Sequence, residues 1–530
     1  MQMASIVTNK IGKYTYLYES ESYRDENGKP QTRKVSIGKI DLQTGNPMYK
    51  PEYLARVAGT DKQPDLSNEK IFSENDIKGS EIREYGAFYL METISEDIGL
   101  ADALRSALPA TWKQVLMLAF YMISSGEPAM YCEDWILKTE NLACGNMSSQ
   151  SISKLLSAIS NDERMAFFEK WGEIRHEQEY LALDITSISS YSEFIDDVEW
   201  GYNRDKEKLA QINVCMLLGE QSRLPVFQTV YSGSLKDVST LKTTLQLASG
   251  LNMQNLSVVM DKGFCSKNNI DAMLEDEEEI RFLIAMPFTM AFAKNQADRE
   301  RKDIDSVDNT IVIGEDIIRG ITKERSWDSK HSLHTHIFYN AELAYQAKNR
   351  LYGHVSKLKT EIFKSLANSE RSEDVDKYLI VRKSEKSLSG YTVNFRHDVI
   401  ENQLRLCGWL VIVSNHIDNA FDAIQIYRAK DVVEKGFLRM KNCLDLGRLR
   451  VHSDTHMQSK LFIGFVALII MAHIHKVMAD NRMYESTTLK KMLKTLERLR
   501  IQYINGKKII YPLTSEQKAI FDVFDMRYPM

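Results

Sequence analysis

Two strongly apolar segments of this chain each close on one aspartate. YLALDITSIS (180–189) carries Asp184, and LSVVMDKGF (256–264) carries Asp261. Short apolar runs bounded by polar turns read as strands buried on both faces, the kind that build α/β sheets. A carboxylate there is costly unless it meets water, a cation or a metal. Neighbouring strand ends in one sheet bring two such acids within a few ångströms. The plainer alternative is a strand-end acid satisfied by backbone donors.

The surrounding pattern supports a sheet. QINVCMLLG (211–219) and PVFQTVYSGS (225–234) follow the first strand. A helix over 235–249, the Asp261 strand and IRFLIAMP (280–287) come next, and Asp237 near the helix start reads as its N-cap. Three strands in hairpin-like succession, then helix, strand, helix and strand, match a ribonuclease-H-like α/β core. Residues 288–405 break the rhythm with short strands and a basic amphipathic helix near 340–368, and they read as an inserted, mainly-β domain. The core resumes at GWLVIVSNH (408–416).

At roughly 150 residues per domain, 530 residues suit three or four domains. The expected divisions are a β-hairpin region (1–50), a helical domain that is a candidate DNA binder (84–176), the two parts of the core (177–287 and 406–480), the insert (288–405) and a basic C-terminal helix and hairpin (481–530). In the first, Tyr14, Tyr16 and Tyr18 share a strand face, and Asn27-Gly28 supplies the turn. In the second, SSQS at 148–151 caps a short helix, compatible with either a helix-turn-helix reader or an ordinary bundle.

A third acid lies in YRAKDVVEKGFLRMK (427–441). On one helix, Tyr427, Lys430, Glu434 and Lys441 form a single stripe, while Val432, Val433 and Phe437 anchor the opposite face. A carboxylate among cations suits a site holding metal ions and a polyanion together; a solvated helix with i, i+4 ion pairs is the bland alternative. Three carboxylates can hold two Mg²⁺ ions about 4 Å apart for in-line phosphodiester chemistry. The interval from Asp261 to Glu434 is more than twice that from Asp184 to Asp261, which requires the insert.

Bulk charge does not advertise nucleic-acid binding: the net charge is -5 and the pI about 6.2, so any such binding uses local basic surfaces. Residues 482–508, with Arg482, Lys490, Lys491, Lys494, Arg498, Arg500, Lys507 and Lys508, are one candidate. Six cysteines without a CxxC pair indicate neither zinc knuckles nor a disulfide framework and fit a reducing cytosol. MQMASIVTNK lacks a signal-peptide core, and LFIGFVALIIMA (461–472) is too short to span a bilayer, so a buried helix is expected there. His331, His334 and His336 lack a Cys or acid to complete a tetrahedral zinc set.

At these residues the chain resembles DDE transposases of bacterial insertion sequences. It is similar to the group whose third acid lies in a Tyr, two residues, Arg, three residues, Glu, six residues, Lys signature. Tyr427, Glu434 and Lys441 match, and Lys430 stands at the Arg position, keeping charge but losing a bidentate fork. Asp261-Lys262-Gly263-Phe264 resembles the second-acid motif Asp-Arg-Gly-Phe, and ALDIT, YSGS and VHSDTHMQSKLFIGFVALII extend the likeness over most of the chain.

The resemblance implies a cut-and-paste enzyme that cleaves element ends, commonly through a DNA hairpin, and joins their 3′ ends to target DNA. Asp184, Asp261 and Glu434 would be the catalytic and metal-holding acids, with two Mg²⁺ ions and Mn²⁺ able to substitute. Tyr427, Lys430 and Lys441 would grip phosphates, with Arg428 and Lys262 added to the DNA-contacting set, and Trp327 in the insert would stack a flipped base. The partners implied are terminal inverted repeats and target DNA, bound by a homodimer in the bacterial cytosol at the nucleoid, with no membrane. A metal-dependent nuclease of the same fold and a non-catalytic, domesticated DNA-binding protein are the alternatives.

Overall fold

A computed structural model describes residues 5–11, 14–24, 29–41, 47–57, 80–175, 179–250, 256–275, 280–365, 373–384 and 390–529. The chain divides into two compact units, one formed by residues 1–81 with 504–507 and the other by the remainder. The first is an antiparallel sheet in the order β1 (Ser5–Ile11), β2 (Tyr14–Arg24), β3 (Pro30–Ile40) and β4 (Pro47–Tyr49), followed by helix α1 (Pro51–Val57). An extra residue on β3, Ile37, offsets the register between Leu17↔Gly38 and Tyr18↔Ser36, and it is buried along with Leu17. The Asn27-Gly28 turn lies outside the described residues.

The second unit opens with a short strand, β5 (Glu81–Glu84), and six helices: α2 (Gly86–Asp97), α3 (Leu100–Ala107), α4 (Trp112–Ser124), α5 (Cys132–Lys138), α6 (Ser149–Ala158) and α7 (Asn161–Ile174). Ser148 caps α6 by accepting from the Ser151 amide at 3.4 Å, as the SSQS pattern predicts. One hydrophobic core runs from Tyr85 to Met526, so these helices share it with the sheet.

Five strands carry the centre of the sheet: β6 (Leu181–Ser189), β7 (Gln211–Gly219), β8 (Pro225–Ser232), β9 (Ser257–Met260) and β10 (Arg281–Ala285). Their spatial order is β8-β7-β6-β9-β10. β6, β7 and β8 pair antiparallel, whereas β9 is parallel to both β6 and β10. This is the mixed α/β, ribonuclease-H-like core expected from the strand succession. The helices α8 (Asp237–Ser249) and α9 (Lys267–Leu274) make the crossovers that parallel pairing requires.

The insert differs from the expectation. β11 (Thr310–Ile313), β12 (Asp316–Ser326) and β13 (Ser332–Tyr339) extend the same sheet through β16 (Trp409–Ser414), giving nine strands ordered β11-β12-β13-β16-β10-β9-β6-β7-β8. Helix α10 (Ala291–Glu300) packs beside β13 and β16. Only the later part has a core of its own. There α11 (Ala341–Ser365), α12 (Glu373–Tyr378) and α13 (His397–Arg405) enclose Leu351, Val355, Leu358 and Val375 with the hairpin β14 (Leu379–Lys383) and β15 (Tyr391–Phe395). A separate mainly-β domain over 288–405 is therefore corrected to a sheet extension followed by a largely helical lobe. The reason is the long-range pairing of β13 with β16, from His334↔Ser414 to Tyr339↔Trp409.

After β16 come α14 (Ala420–Ala429), α15 (Asp431–Asn442) and α16 (Asp454–Asp480). Helix α16 is long and apolar enough to cross a membrane, yet Leu461 to Ala472 are all buried in protein. Phe462 meets Phe167 edge-on at 5.1 Å, and Phe465 meets Phe168 at 5.3 Å. The tail holds α17 (Leu489–Glu497), β17 (Arg500–Ile504), β18 (Lys507–Ile510) and α18 (Ser515–Val523). Asn505 and Gly506 both take positive φ, 48° and 76°, in the turn between β17 and β18.

Phe462 is 1% exposed. Phe462→Ala is expected to cost about 3–5 kcal/mol of stability in urea unfolding; a loss under about 1 kcal/mol would contradict this packing.

Candidate active site

The registers of the central strands set the site. β6 pairs with β9 through Leu181↔Val258, Ala182↔Val259 and Leu183↔Met260. The next residue in each segment is an acid, Asp184 on β6 and Asp261 just past β9, and paired strands lie about 4.8 Å apart. β9 ends there, and Asp261 turns the chain into a single 3-10 turn, Lys262–Phe264, by accepting from the Lys262 amide. Phe264, 1% exposed, anchors that turn. A Cβ at position 263 would come within 3.2 Å of Asp237 Oδ2, so the backbone of Gly263 passes close to a carboxylate.

Asp184 sits in apolar surroundings and accepts from the Ile185 amide at 2.8 Å. Burial pushes its carboxyl up to about 6, against the pull of that amide and of the Lys430 and Arg204 charges, with the Asp261 charge adding to the rise. The two cations do not offset the desolvation.

The third acid comes from α15. Val432, Val433, Phe437 and Met440 are buried and pack this helix on β6 and β7, where Gly436 lies against Leu218. Glu434 projects from the other side, about half exposed, 3.3 Å from the buried Lys430 ammonium. Lys430 lies 5.5 Å from the Tyr427 ring centroid. Burial holds the Tyr427 phenol well above its usual range, and the charges of Asp261, Glu434 and Asp184 all act in the same direction. Tyr427 thus feels all three acids at once.

The single stripe expected over 427–441 is broken. α14 ends at Ala429 and α15 begins at Asp431, with Lys430 at the junction. The Val433 amide reaches Lys430 O, a tight i to i+3 turn that separates Tyr427 from the helix of Glu434. Lys441, farther along α15, pairs with Asp205 at 2.6 Å. Arg428 points away from the acids and is held by Asp316 of β12 at 2.8 Å. Lys262 is exposed beside Asp261.

Other expectations are corrected too. Asp237 is not a helix cap: Lys236 occupies that position, and Asp237 pairs with Arg204. Trp327, partly buried, packs edge-on against Phe292 at 5.4 Å and donates its indole N–H to Asp271 at 2.7 Å. Among the histidines, His331 bonds Asp328, and His336 is buried against the Thr322 hydroxyl.

Sequence reasoning missed Arg204. This residue of the β6–β7 connection also donates to the Ser187 hydroxyl (3.3 Å) and Asn213 Oδ1 (3.4 Å), and its charge acts on Asp184. The same short segment holds Lys441 through Asp205 and Arg448 through Glu207. No spacing rule marks these residues, because they act from an irregular connection.

Among the described residues, no three His, Cys, Asp or Glu side chains lie close enough together to hold an ion. The donor chemistry nevertheless fits a hard divalent cation. Asp184 and Asp261 each follow the last paired residues of β6 and β9, and the Asp261 charge acts on the buried Asp184 carboxyl. Glu434 engages Lys430 through Oε1 alone, so its second carboxylate oxygen is not used by that pair.

A family model described as "Transposase DDE domain" matches residues 175–470. Among solved structures, the piggyBac transposase synaptic complex with hairpin DNA, determined by cryo-electron microscopy, is similar at a TM-score of 0.33 and 9% identity; the match covers 77% of this chain and 70% of that chain. No curated protein sequence matches the chain.

A carboxyl whose folded-state pKa lies above its unfolded value adds stability below the unfolded value, near 3.9, and loses it as pH rises through about 6. In metal-free buffer at pH 8, Asp184→Asn is therefore expected to be more stable than wild type by up to about 2–3 kcal/mol, the two converging below pH 4. Mg²⁺ should raise the wild-type melting temperature at pH 8 and leave that of Asp184→Asn unchanged. Equal curves for the two proteins across this pH range would refute the reading.

Proposed function

The chain belongs to the transposase DDE domain family, and on that premise we propose that it cleaves DNA at the ends of a mobile element and joins the freed 3′ ends to target DNA. The observation that carries this reading is the β6–β9 register, which ends at Leu183↔Met260 and puts Asp184 and Asp261 next in each segment, with the helix of Glu434 packed on β6 and β7. We assign the chain to the bacterial insertion-sequence group with the Tyr-Arg-Glu-Lys signature, on Tyr427, Lys430, Glu434 and Lys441.

In this reading Asp184, Asp261 and Glu434 hold two Mg²⁺ ions, or Mn²⁺ in their place. When bound, such ions lower the pKa of an attacking water or 3′-hydroxyl and neutralise charge on the phosphodiester transition state. The chain's own residues do the rest. Tyr427, kept protonated by burial and by the surrounding acids, donates a hydrogen bond to a phosphate oxygen of the transferred strand. Lys430, released from Glu434, sets its ammonium on the same phosphate, and Lys441 takes the neighbouring one. The Arg204 charge favours the ionised form of Asp184, and the residue ties the β6–β7 connection to α8 through Asp237.

Lys262 lies at the exposed edge of this surface. Arg428 stays in the DNA-contacting set on the same terms as Lys430 and Lys441, with Asp316 the partner that a phosphate displaces. Cutting two element ends in concert calls for a homodimer on the terminal inverted repeats. The six free cysteines, four of them buried, accord with action in the bacterial cytosol at the nucleoid.

Oligonucleotide cleavage and strand-transfer assays test the proposal. Asp184→Asn, Asp261→Asn and Glu434→Gln are each expected to lower both reactions by about 10²-fold or more. Cleavage without joining by the wild type would mark a nuclease. Absence of cleavage, with DNA binding indifferent to Asp184→Ala, would mark a non-catalytic binding protein.

Lys441 poses a second question, because a phosphate must displace Asp205 to reach it. Asp205→Asn is expected to tighten binding to element-end DNA about fivefold, in keeping with the ~1 kcal/mol of a partly exposed ion pair. Unchanged or weaker binding in electrophoretic titration would contradict this role for Lys441.

A further inference from the structure

We infer that the exposed face of α17 is a docking surface for the sugar–phosphate backbone of duplex DNA, separate from the acids and their neighbouring cations. Met492, Leu493 and Leu496 are buried and fix the helix, in part against α2. The opposite face carries Lys490, Lys491, Lys494 and Arg498, all exposed. Lys490, Lys494 and Arg498 follow one another at four-residue steps, and Lys491 lies beside them, so the four form one row. From 490 to 498 the row runs about 12 Å, the rise of three to four base pairs.

The state of these cations distinguishes them from the others. Lys430, Lys441 and Arg428 are each paired with a carboxylate of the chain, and DNA must displace that partner. Among the described residues, none of the four α17 cations forms an ion pair. They line a concavity of about 530 Å³ with Thr488, Thr495 and Glu516. Its one carboxylate, Glu516, accepts from the Thr495 hydroxyl at 3.4 Å rather than from a lysine. On a chain of net charge -5, this cationic row, in which the charge of Lys494 acts on Glu497 but forms no ion pair with it, attracts a polyanion without breaking an ion pair. It would capture DNA regardless of sequence, because phosphates carry no base information.

This inference rests on the proposed DNA chemistry and is tested so that the two can fail apart. The full-length variant K490Q/K491Q/K494Q/R498Q is compared with wild type on a nonspecific duplex over a range of salt concentrations. Its thermal midpoint should be unchanged, since all four side chains are exposed. The slope of log Kobs against log salt is expected to become shallower by about 3–4, at about 0.9 per phosphate contact, for any duplex sequence. The charge-retaining variant K490R/K491R/K494R should keep the wild-type slope.

An unchanged slope in the glutamine variant, with wild type still binding and cleaving DNA, overturns the inference and leaves the transposase reading standing. The same holds if the variant loses binding only to phosphatidylglycerol vesicles and not to duplex. A wild type that binds duplex through this face but neither cuts nor joins it overturns the transposase reading alone.

Discussion

The parallel pairing of β6 with β9 is the constraint on which the site depends. Three residue pairs, ending at Leu183↔Met260, fix the register, and the acids follow at once in both segments. A slip of one residue would move Asp261 out of step with Asp184 and turn its side chain to the other sheet face. The apolar residues that hold the register are almost fully buried: Leu183 is 1% exposed, and Val259 and Met260 are 0%. Hydrophobic burial therefore maintains two carboxylates at a separation that their own charges oppose.

Charge is organised around this pair in two ways. Close by, cations are already engaged: Lys430 with Glu434, Lys441 with Asp205, Arg204 with Asp237. Engagement fixes long side chains before any polyanion arrives, so binding exchanges partners rather than ordering free chains. Even so, the Asp184 carboxyl is raised to about 6 by burial. On α17, by contrast, the cations form no ion pair among the described residues. One arrangement suits positioning at a reacting centre, and the other suits long-range attraction.

Much of this was legible in the sequence where local pattern decides structure. The apolar runs ending at Asp184 and Asp261 specified buried strands, the SSQS segment specified a capped helix, and LFIGFVALIIMA specified a core helix. What depended on distant partners was not legible. The break at Lys430 has no Pro or Gly to mark it and reflects how α14 and α15 dock separately. Nothing local in β11 to β13 reveals that they join the main sheet, because that follows from pairing with β16 many residues later. The contacts of Trp327 with Phe292 and Asp271 were not legible either, because both partners lie far away in sequence. Arg204 sits in an irregular connection where neither periodicity nor spacing carries information.

The central claim is that Asp184 and Asp261 jointly hold a divalent cation. Diffusing Mn²⁺ into crystals of the protein and locating it by anomalous scattering tests this directly. The account predicts a peak within coordination distance of both carboxylates, absent in Asp261→Asn. Peaks confined to other parts of the surface, with none touching Asp184 or Asp261, would contradict it.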